Sequence, residues 1–357
     1  MSDRQHQVAS KVSRCTPLVR GLMVTFADAW AVIVLIGPLT IAFWWSTWTI
    51  MDVILSSTGK PDTFLISICV GFVVPSLFIP LQSVLIGNIQ RRNFAWYTVP
   101  RMYVYILSLA VVSLWRGAWG ICEFYIGESK LVYVYVGIIS YVILWSTRVS
   151  YTGVSSPVTL DLDIEIDYYR IKTRFYARGG NFVLRVISII ISVALTAIGG
   201  LTWQSVWTLL DHFIYPENEL VSFSIFLAIA IILVQLTFTL TPFAIPTLQD
   251  IYSVKARILY ENLWNVVRLV ESILLWRCGW ILYDLFDLSN TGIIVLHVFS
   301  TLILNVIMCG FTTAASNLNY ASLDGEGADG TIFQMPSLAP LVSKDALFKS
   351  TRICKCA

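Results

Sequence analysis

Charged residues are scarce in this chain: they make up 13% of its 357 residues, about half the share found in a soluble domain. Hydrophobic residues reach 57%, and a soluble fold of this size buries too little volume to hide them. The composition therefore excludes a water-soluble enzyme, a secreted disulfide module and a nucleic-acid-binding domain. It is typical of a chain whose main partner is the lipid bilayer, which it crosses several times.

Histidine is scarcer still: the chain has three, which are His6, His212 and His297. No two of them have the spacing of metal ligands. The sequence contains no nucleophile elbow, Walker motif, zinc-protease box or glycine-rich dinucleotide loop. The acidic segment 161–167 lacks the glycine and the glutamate that a calcium-binding loop requires. We therefore expect no enzyme, no metal site and no other cofactor, and we expect His297 to be a hydrogen-bonded core residue.

The seven cysteines do not predict a disulfide framework, because none of them lies well inside a loop on the outer side of the membrane. Cys354 and Cys356 flank Lys355 near the end of the chain. A cysteine beside a basic residue at a membrane surface is a candidate for palmitoylation. A tail with two reduced cysteines is the alternative.

Eight apolar segments are each long enough to cross a bilayer as a helix, which takes about 20 residues. The seventh contains Arg268, Glu271 and Arg277, and Arg268 and Glu271 are close enough on one helix face to neutralise each other. The sequence therefore predicts an all-α, polytopic membrane helix bundle. The segments lie at about 27–51, 63–87, 102–122, 131–154, 183–210, 220–247, 263–283 and 292–316.

The distribution of basic residues predicts the orientation of these spans. Lysine and arginine precede span one, fill the loops after spans two, four and six, and return in the tail, whereas the alternate loops hold only Lys60 and Lys130. Basic loops stay in the cytoplasm, so both termini are predicted to be cytoplasmic. Both termini on one side require an even number of spans, which agrees with eight.

Two tryptophan-rich segments recur along the chain. Trp115–Trp119 (WRGAW) matches Trp276–Trp280 (WRCGW), and Trp44–Thr49 (WWSTWT) matches Trp203–Thr208 (WQSVWT). The offsets are nearly equal, so the sequence predicts two parallel four-helix repeats, each made of two helical hairpins in which an odd span precedes an even one. Their pseudo-two-fold axis should follow the membrane normal. The predicted division is 1–20 (N-terminal segment), 21–165 (first repeat), 166–180 (linker), 181–323 (second repeat) and 324–357 (tail).

Every odd span also ends in the same pattern: a tryptophan, a second tryptophan four residues later, and an acid four residues after that. This spacing keeps the three side chains on one helix face. The pattern is typical of an interfacial aromatic belt and of packing between repeats, and the alternative is an outer vestibule lined by the four acids. The four sets are Trp44, Trp48 and Asp52; Trp115, Trp119 and Glu123; Trp203, Trp207 and Asp211; and Trp276, Trp280 and Asp284.

Arg116 and Arg277 occupy equivalent places in the two repeats, about two helical turns inside the outer boundary of their spans. An arginine at that depth needs a charged or hydrogen-bonding partner. Three arrangements fit the sequence: ion pairs that lock the two halves, a site for an anion or another solute near the axis, or arginines that reach toward the membrane surface without a fixed partner. The candidate partners are Glu123 and Asp284 on the same helices and Asp52 and Asp211 on neighbouring hairpins.

An eight-span chain with these repeated Trp-Arg-x-x-Trp-x-x-x-acid segments resembles the fuseless family of invertebrate membrane proteins. The residues that carry the resemblance are Trp115–Trp119 with Glu123 and Trp276–Trp280 with Asp284, and it covers about residues 20–325. The resemblance implies a presynaptic plasma-membrane protein that organises voltage-gated calcium channels and supports calcium-dependent vesicle exocytosis. The family has no established substrate site, so no catalytic residue is carried over.

Two other functions remain open from the residues themselves. The chain is a solute transporter or channel with a polar site between the repeats, or it is an accessory subunit of a channel complex. The arginines and the acids at the outer ends of the odd spans would form the polar site in the first case. The cytoplasmic loops would hold the channel in the second.

Overall fold

The computed structural model describes residues 23, 25–88, 94–127, 129–154, 175 and 182–307. Within these ranges the chain forms eight long helices and no strand, so the all-α class is confirmed there. Of the predicted segments, 1–20 and 324–357 lie outside the described residues, and with them Cys354 and Cys356. The helices are α1 (Thr25–Ile54), α2 (Asp62–Asn88), α3 (Phe94–Ile126), α4 (Lys130–Ser146), α5 (Phe182–Phe213), α6 (Glu219–Gln249), α7 (Val254–Leu285) and α8 (Asn290–Leu302, continued by a π-helical turn, Ile303–Ile307).

Four of these helices are long and apolar enough to cross a membrane by length and composition: α1 and the greater parts of α3, α5 and α6. Three others contain shorter apolar stretches: α2, α4 and α8. The remaining helix, α7, holds Arg268, Glu271 and Arg277 within its apolar part. The chain is therefore a membrane protein with several spanning helices, and the count of eight spans stays a prediction.

The odd helices form the centre of the bundle. Each of α1, α3, α5 and α7 contacts two other odd helices, and these contacts close a ring in the order α1, α3, α5, α7 and back to α1. Each even helix packs mainly on one odd helix, and that helix is the next one along the chain: α2 on α3, α4 on α5 and α6 on α7. The last even helix, α8, returns to α1 and completes the circle.

These pairs differ from the predicted hairpins, in which an odd helix packs with the even helix that follows it. The reason is the position of the small residues that allow two helices to approach closely. A Cβ atom added at Gly71 of α2 would lie 2.5 Å from the Cβ of Leu114 on α3. One added at Gly117 of α3 would lie 2.6 Å from the carbonyl oxygen of Phe64 on α2.

Helix α1 contains a π-helical segment, Val32–Ile36, directly before the pair Gly37–Pro38. A proline has no N–H to donate, and its ring collides with the carbonyl one turn earlier in a regular α-helix. The wider π turn relieves that collision, and the Gly37 N–H donates to the Val32 carbonyl across it. The Pro38 carbonyl also accepts a hydrogen bond of 2.9 Å from the Tyr283 hydroxyl on α7.

Span four was predicted to reach residue 154, and this boundary is wrong, because α4 ends at Ser146. Arg148 has a φ of +56°, and two backbone bonds close a Schellman motif around it: Val149 N–H to the Leu144 carbonyl and Arg148 N–H to the Trp145 carbonyl. The buried contact of Leu144 with Val149 accompanies the motif. The chain then turns inward as a buried 3₁₀ segment, Ser150–Gly153.

This buried segment fastens α4 to two odd helices. The Gly153 carbonyl accepts a hydrogen bond of 2.6 Å from the indole N–H of Trp203 on α5. Ser150 donates to Asn262 at 2.9 Å and accepts from Asn265 at 3.1 Å, both on α7. The early end of α4 therefore supplies hydrogen-bond partners to buried polar groups that a straight helix would leave unpaired.

The contact of α2 with α3 is testable with one matched pair of substitutions. Gly117→Ala places a methyl group against the α2 backbone and should destabilise the protein by about 1–3 kcal/mol. This steric cost should outweigh the stability gained from the higher helix propensity of alanine. Gly59→Ala adds the same methyl group where nothing lies within 4 Å and should have no effect. The apparent melting temperature of the detergent-purified protein measures both. Equal melting temperatures would contradict the close approach.

Candidate functional site

Four tryptophans from the four odd helices meet at the centre of the bundle. Each indole contacts the next one edge to face, with ring centroids 5.0–5.8 Å apart and planes at 83–89°, and the four contacts close a circle. All four side chains are buried, with 3–8% of their surface exposed. We call this circle the first ring; its members are Trp44, Trp115, Trp203 and Trp276.

A second ring lies one helical turn further along the same helices. Its neighbouring centroids are 5.5–6.3 Å apart and its planes meet at 86–89°. The spacing of four residues places the two rings about 6 Å apart along the bundle axis. The acids of the repeated pattern follow after one more turn, and we call that end of the bundle the acidic end. The members of the second ring are Trp48, Trp119, Trp207 and Trp280.

The perpendicular indole planes have a geometric consequence. When four equivalent rings surround an axis and every neighbour stands at about 90°, each plane must run nearly parallel to that axis. The indoles therefore form walls around the axis instead of lids across it. Each edge-to-face contact contributes about 0.5–1.5 kcal/mol beyond simple packing, so the eight contacts together hold the four odd helices in register.

The walls enclose a cavity of about 650 Å³, which is within the size range of small-molecule sites. All eight ring tryptophans line it. The other lining residues lie toward the acidic end and on α4: Glu123, Gly127, Tyr133, Thr208, Asp211 and His212.

Arg116 is buried beside α1 and α2. Its Nε donates to the Asp52 carboxylate at 2.8 Å, and a terminal nitrogen lies 2.7 Å from the same oxygen. The guanidinium also donates to the Ser67 hydroxyl at 2.7 Å and to the Thr63 carbonyl at 3.3 Å and hydroxyl at 3.1 Å. It lies over the ring of Phe64, 5.5 Å from its centroid. A charged group inside the bundle is thus satisfied on every side.

Arg277 repeats this arrangement in the second half. It pairs with Asp211, and its guanidinium lies over the ring of Phe226, 4.5 Å from the centroid. Both arginines therefore pair with the aspartate of the neighbouring odd helix, which was one of the two sets of partners the sequence allowed. Each pair joins two odd helices of the same half, α1 with α3 or α5 with α7, so neither pair crosses from one half to the other.

Among the hydrogen bonds that join the halves, two have donors at equivalent positions of the two repeats. The Trp45 indole on α1 donates to the Asp284 carboxylate on α7 at 2.7 Å. The Gln204 amide on α5 donates to the Trp119 carbonyl on α3 at 3.1 Å. The sequence pattern did not single out Trp45 or Gln204, although their positions match in the two repeats.

Glu123 differs from the other three acids of the pattern. Asp52 and Asp211 are held by arginines and Asp284 by an indole. Among the described residues, Glu123 has no ion-pair or hydrogen-bond partner, and its side chain lines the cavity. Of the four acids that the alternative interpretation placed around an outer vestibule, Glu123 and Asp211 line the cavity, and the two arginines are absent from its lining.

The tryptophan pattern was interpreted as an interfacial belt and as packing between repeats, and the structure shows the packing, because the indoles of the four odd helices contact one another. The physical reason is the four-residue spacing, which places both indoles of each odd helix on the same face of that helix, toward the bundle axis. Tyr133, Thr208 and His212 are lining residues that the sequence reasoning missed. Nothing local marks them, because they reach the cavity only through the packing of α4 and α5.

His297 is a hydrogen-bonded residue inside the bundle, as its isolation in the sequence predicts. The Tyr105 hydroxyl lies 2.9 Å from its Nε2, and the Thr47 hydroxyl lies 3.2 Å from its Nδ1. Its ring stacks on Phe43 at 5.2 Å. In α7, the buried Glu271 carboxylate accepts a hydrogen bond of 3.0 Å from the Thr237 hydroxyl on α6. The described residues include no group of three metal-ligating side chains.

Removal of Arg116 should cost more stability than removal of its partner. Arg116→Ala leaves the buried hydroxyl oxygens of Thr63 and Ser67 without their guanidinium donor and should destabilise the protein by about 1–3 kcal/mol. Asp52→Asn should cost less, because the Asp52 side chain is 50% exposed. A charge swap, Arg116→Asp with Asp52→Arg, should not restore stability, because the new carboxylate would face the Thr63 carbonyl. A swap that restores the apparent melting temperature would contradict this arrangement.

A tryptophan of the first ring should contribute more to the stability of the protein than a tryptophan that belongs to neither ring. Trp276→Leu removes two edge-to-face contacts and should cost about 1–3 kcal/mol. Trp145→Leu makes the same change at a side chain that is 40% exposed and belongs to neither ring, so it should be nearly neutral. Circular dichroism during heating measures both without relying on tryptophan emission. Equal losses would show that the ring adds nothing beyond its bulk.

Comparison with known proteins gives one result. The model of the fuseless family matches residues 23–313, a stretch that contains both tryptophan rings, both arginine ion pairs and Glu123. No curated protein and no solved structure matches the chain. Since the matched stretch covers well over half of the sequence, the chain belongs to the fuseless family.

Proposed function

We propose that this protein is a presynaptic plasma-membrane protein that organises voltage-gated calcium channels at release sites and so supports calcium-dependent vesicle exocytosis. The observation that carries the proposal is membership of the fuseless family over residues 23–313, together with the role that the resemblance implies. The apolar helices agree with a protein held in the membrane. The arginines agree with a scaffold, because both serve internal ion pairs.

The topology that goes with this role has eight spans in two parallel four-span repeats, with both termini in the cytoplasm. The basic loops support this orientation. Equivalent tryptophans, arginines and aspartates at matching positions of the two halves support the duplication. In this topology the acidic end and the mouth of the cavity face the extracellular side. The other end, where Arg148 pairs with Glu261 at 3.1 Å, faces the cytoplasmic partners.

A second function, passage of a solute, is favoured by the cavity on the central axis between the halves. The cavity wall is aromatic and acidic rather than basic, so a cation suits it better than an anion. Current or uptake in a cell that expresses the chain tests this function. Glu123→Gln should reduce the flux, and Glu217→Gln, an exposed acid at the same end that does not line the cavity, should leave it unchanged.

Gene deletion combined with rescue tests the organiser role. Loss of the protein should disperse calcium channels at nerve terminals and reduce evoked release, and the wild-type chain, tagged at its C-terminus, should localise there and restore both. The Glu123→Gln chain should restore them equally well if channel organisation does not use the cavity. Normal channel clusters after deletion, or absence of the tagged protein from terminals, would refute the role.

Purification of the tagged protein separates a channel organiser from a channel subunit. A subunit would co-purify with the pore-forming chain at a fixed ratio in detergent, whereas an organiser that acts through other proteins would not. The Arg148→Ala chain alters the predicted cytoplasmic end of the bundle and leaves the tryptophan rings unchanged. Its co-purification with the channel can therefore be compared with that of the wild-type chain.

A further inference from the structure

We propose that the tryptophan-lined cavity binds a small organic cation with a quaternary ammonium head. Ring centroids of neighbouring indoles are 5.0–6.3 Å apart in the two rings. The centre of each ring therefore lies about 4 Å from its four indoles, which is too close for the methyl groups around a quaternary nitrogen, because carbon atoms in contact stay about 3.5–4 Å apart. On the acidic side of the second ring the nitrogen would clear these walls and still lie about 5 Å from indoles of all four odd helices, within the roughly 6 Å reach of a cation–π contact.

The charge of the lining favours a cation. Glu123 and Asp211 contribute carboxylates at the acidic end, and His212 is the one lining residue able to carry a positive charge. The two buried arginines are drawn away from the cavity by their aspartates. Because Glu123 has no protein partner among the described residues, its carboxylate is available to a ligand, whereas that of Asp211 is shared with Arg277.

The chemistry of the wall selects among cations. A metal ion needs several ligands to replace its water, and the described residues bring no three histidine, cysteine, aspartate or glutamate side chains together for this purpose. A quaternary ammonium group cannot donate hydrogen bonds and holds its water weakly, so aromatic walls and one nearby carboxylate are sufficient to bind it. The volume of about 650 Å³ leaves room for a head of this size and for a short chain attached to it.

Calorimetric titration of the full-length protein tests this site, and the protein is placed in nanodiscs of phosphatidylglycerol so that no lipid supplies the same head group. The probes are choline and 3,3-dimethylbutan-1-ol, which has the same shape and a carbon in place of the charged nitrogen. Choline should bind at least about tenfold more tightly than the neutral alcohol. Equal affinities, or no heat from choline at millimolar concentrations, would overturn the proposal.

Two variants locate the site within the protein. Glu123→Gln should weaken choline binding about fivefold, and the matched Glu217→Gln should leave it unchanged. Trp119→Leu should weaken it about tenfold. Glu123 is exposed, so its variant should fold normally even if Trp119→Leu does not. Identical choline affinity in the Glu123→Gln and Glu217→Gln proteins would overturn the assignment of Glu123.

Quaternary ammonium groups occur both in free solutes and in the head groups of choline lipids, and a second nanodisc composition separates these sources. If the head group of phosphatidylcholine occupies the cavity, nanodiscs of that lipid should abolish choline binding. If the cavity serves a free solute, choline should bind equally well in both lipids. Choline binding to the purified protein does not depend on the protein's orientation in a cell or on whether it organises channels. This test is therefore independent of the proposed function.

Discussion

The double ring of tryptophans is the interaction on which the rest of the bundle depends. Two parallel apolar helices gain little from the hydrophobic effect inside a bilayer, because lipid chains are as apolar as leucine. Edge-to-face contacts between indoles supply attraction with a fixed geometry instead. Because each of the four odd helices contributes one indole to each ring, the rings fix both the positions and the rotations of these helices.

Charge inside the bundle follows from that arrangement. With the tryptophan face of α3 and α7 turned to the axis, Arg116 and Arg277 lie to the side, where each meets an aspartate of the neighbouring odd helix and the ring of a phenylalanine. These two arginine pairs therefore fasten α1 to α3 and α5 to α7, while hydrogen bonds that include those of Trp45 and Gln204 link the halves. The one acid left over, Glu123, gives the cavity a negative charge that no protein group among the described residues neutralises.

The closed circle of odd helices also decides where the even helices go. On α3, Gly117 and Gly120 lie where α2 packs. Gly71 and Gly117 let α2 lie against α3, although the chain reaches α2 from α1. Helix α4 ends early at the Schellman motif around Arg148, and the segment that follows supplies a carbonyl to Trp203.

The sequence by itself determined the apolar class, the helices and the equivalence of the tryptophans, arginines and acids, because helical period and composition are properties of single segments. It also limited the partners of Arg116 and Arg277 to two sets of acids. Only the tertiary structure decided which set pairs, that even helices pack on the following odd helix, and that the indoles enclose a cavity. Those outcomes depend on how eight helices rotate against one another. The sequence shows which residues share a face of a helix, but the packing of the helices decides which neighbour that face meets.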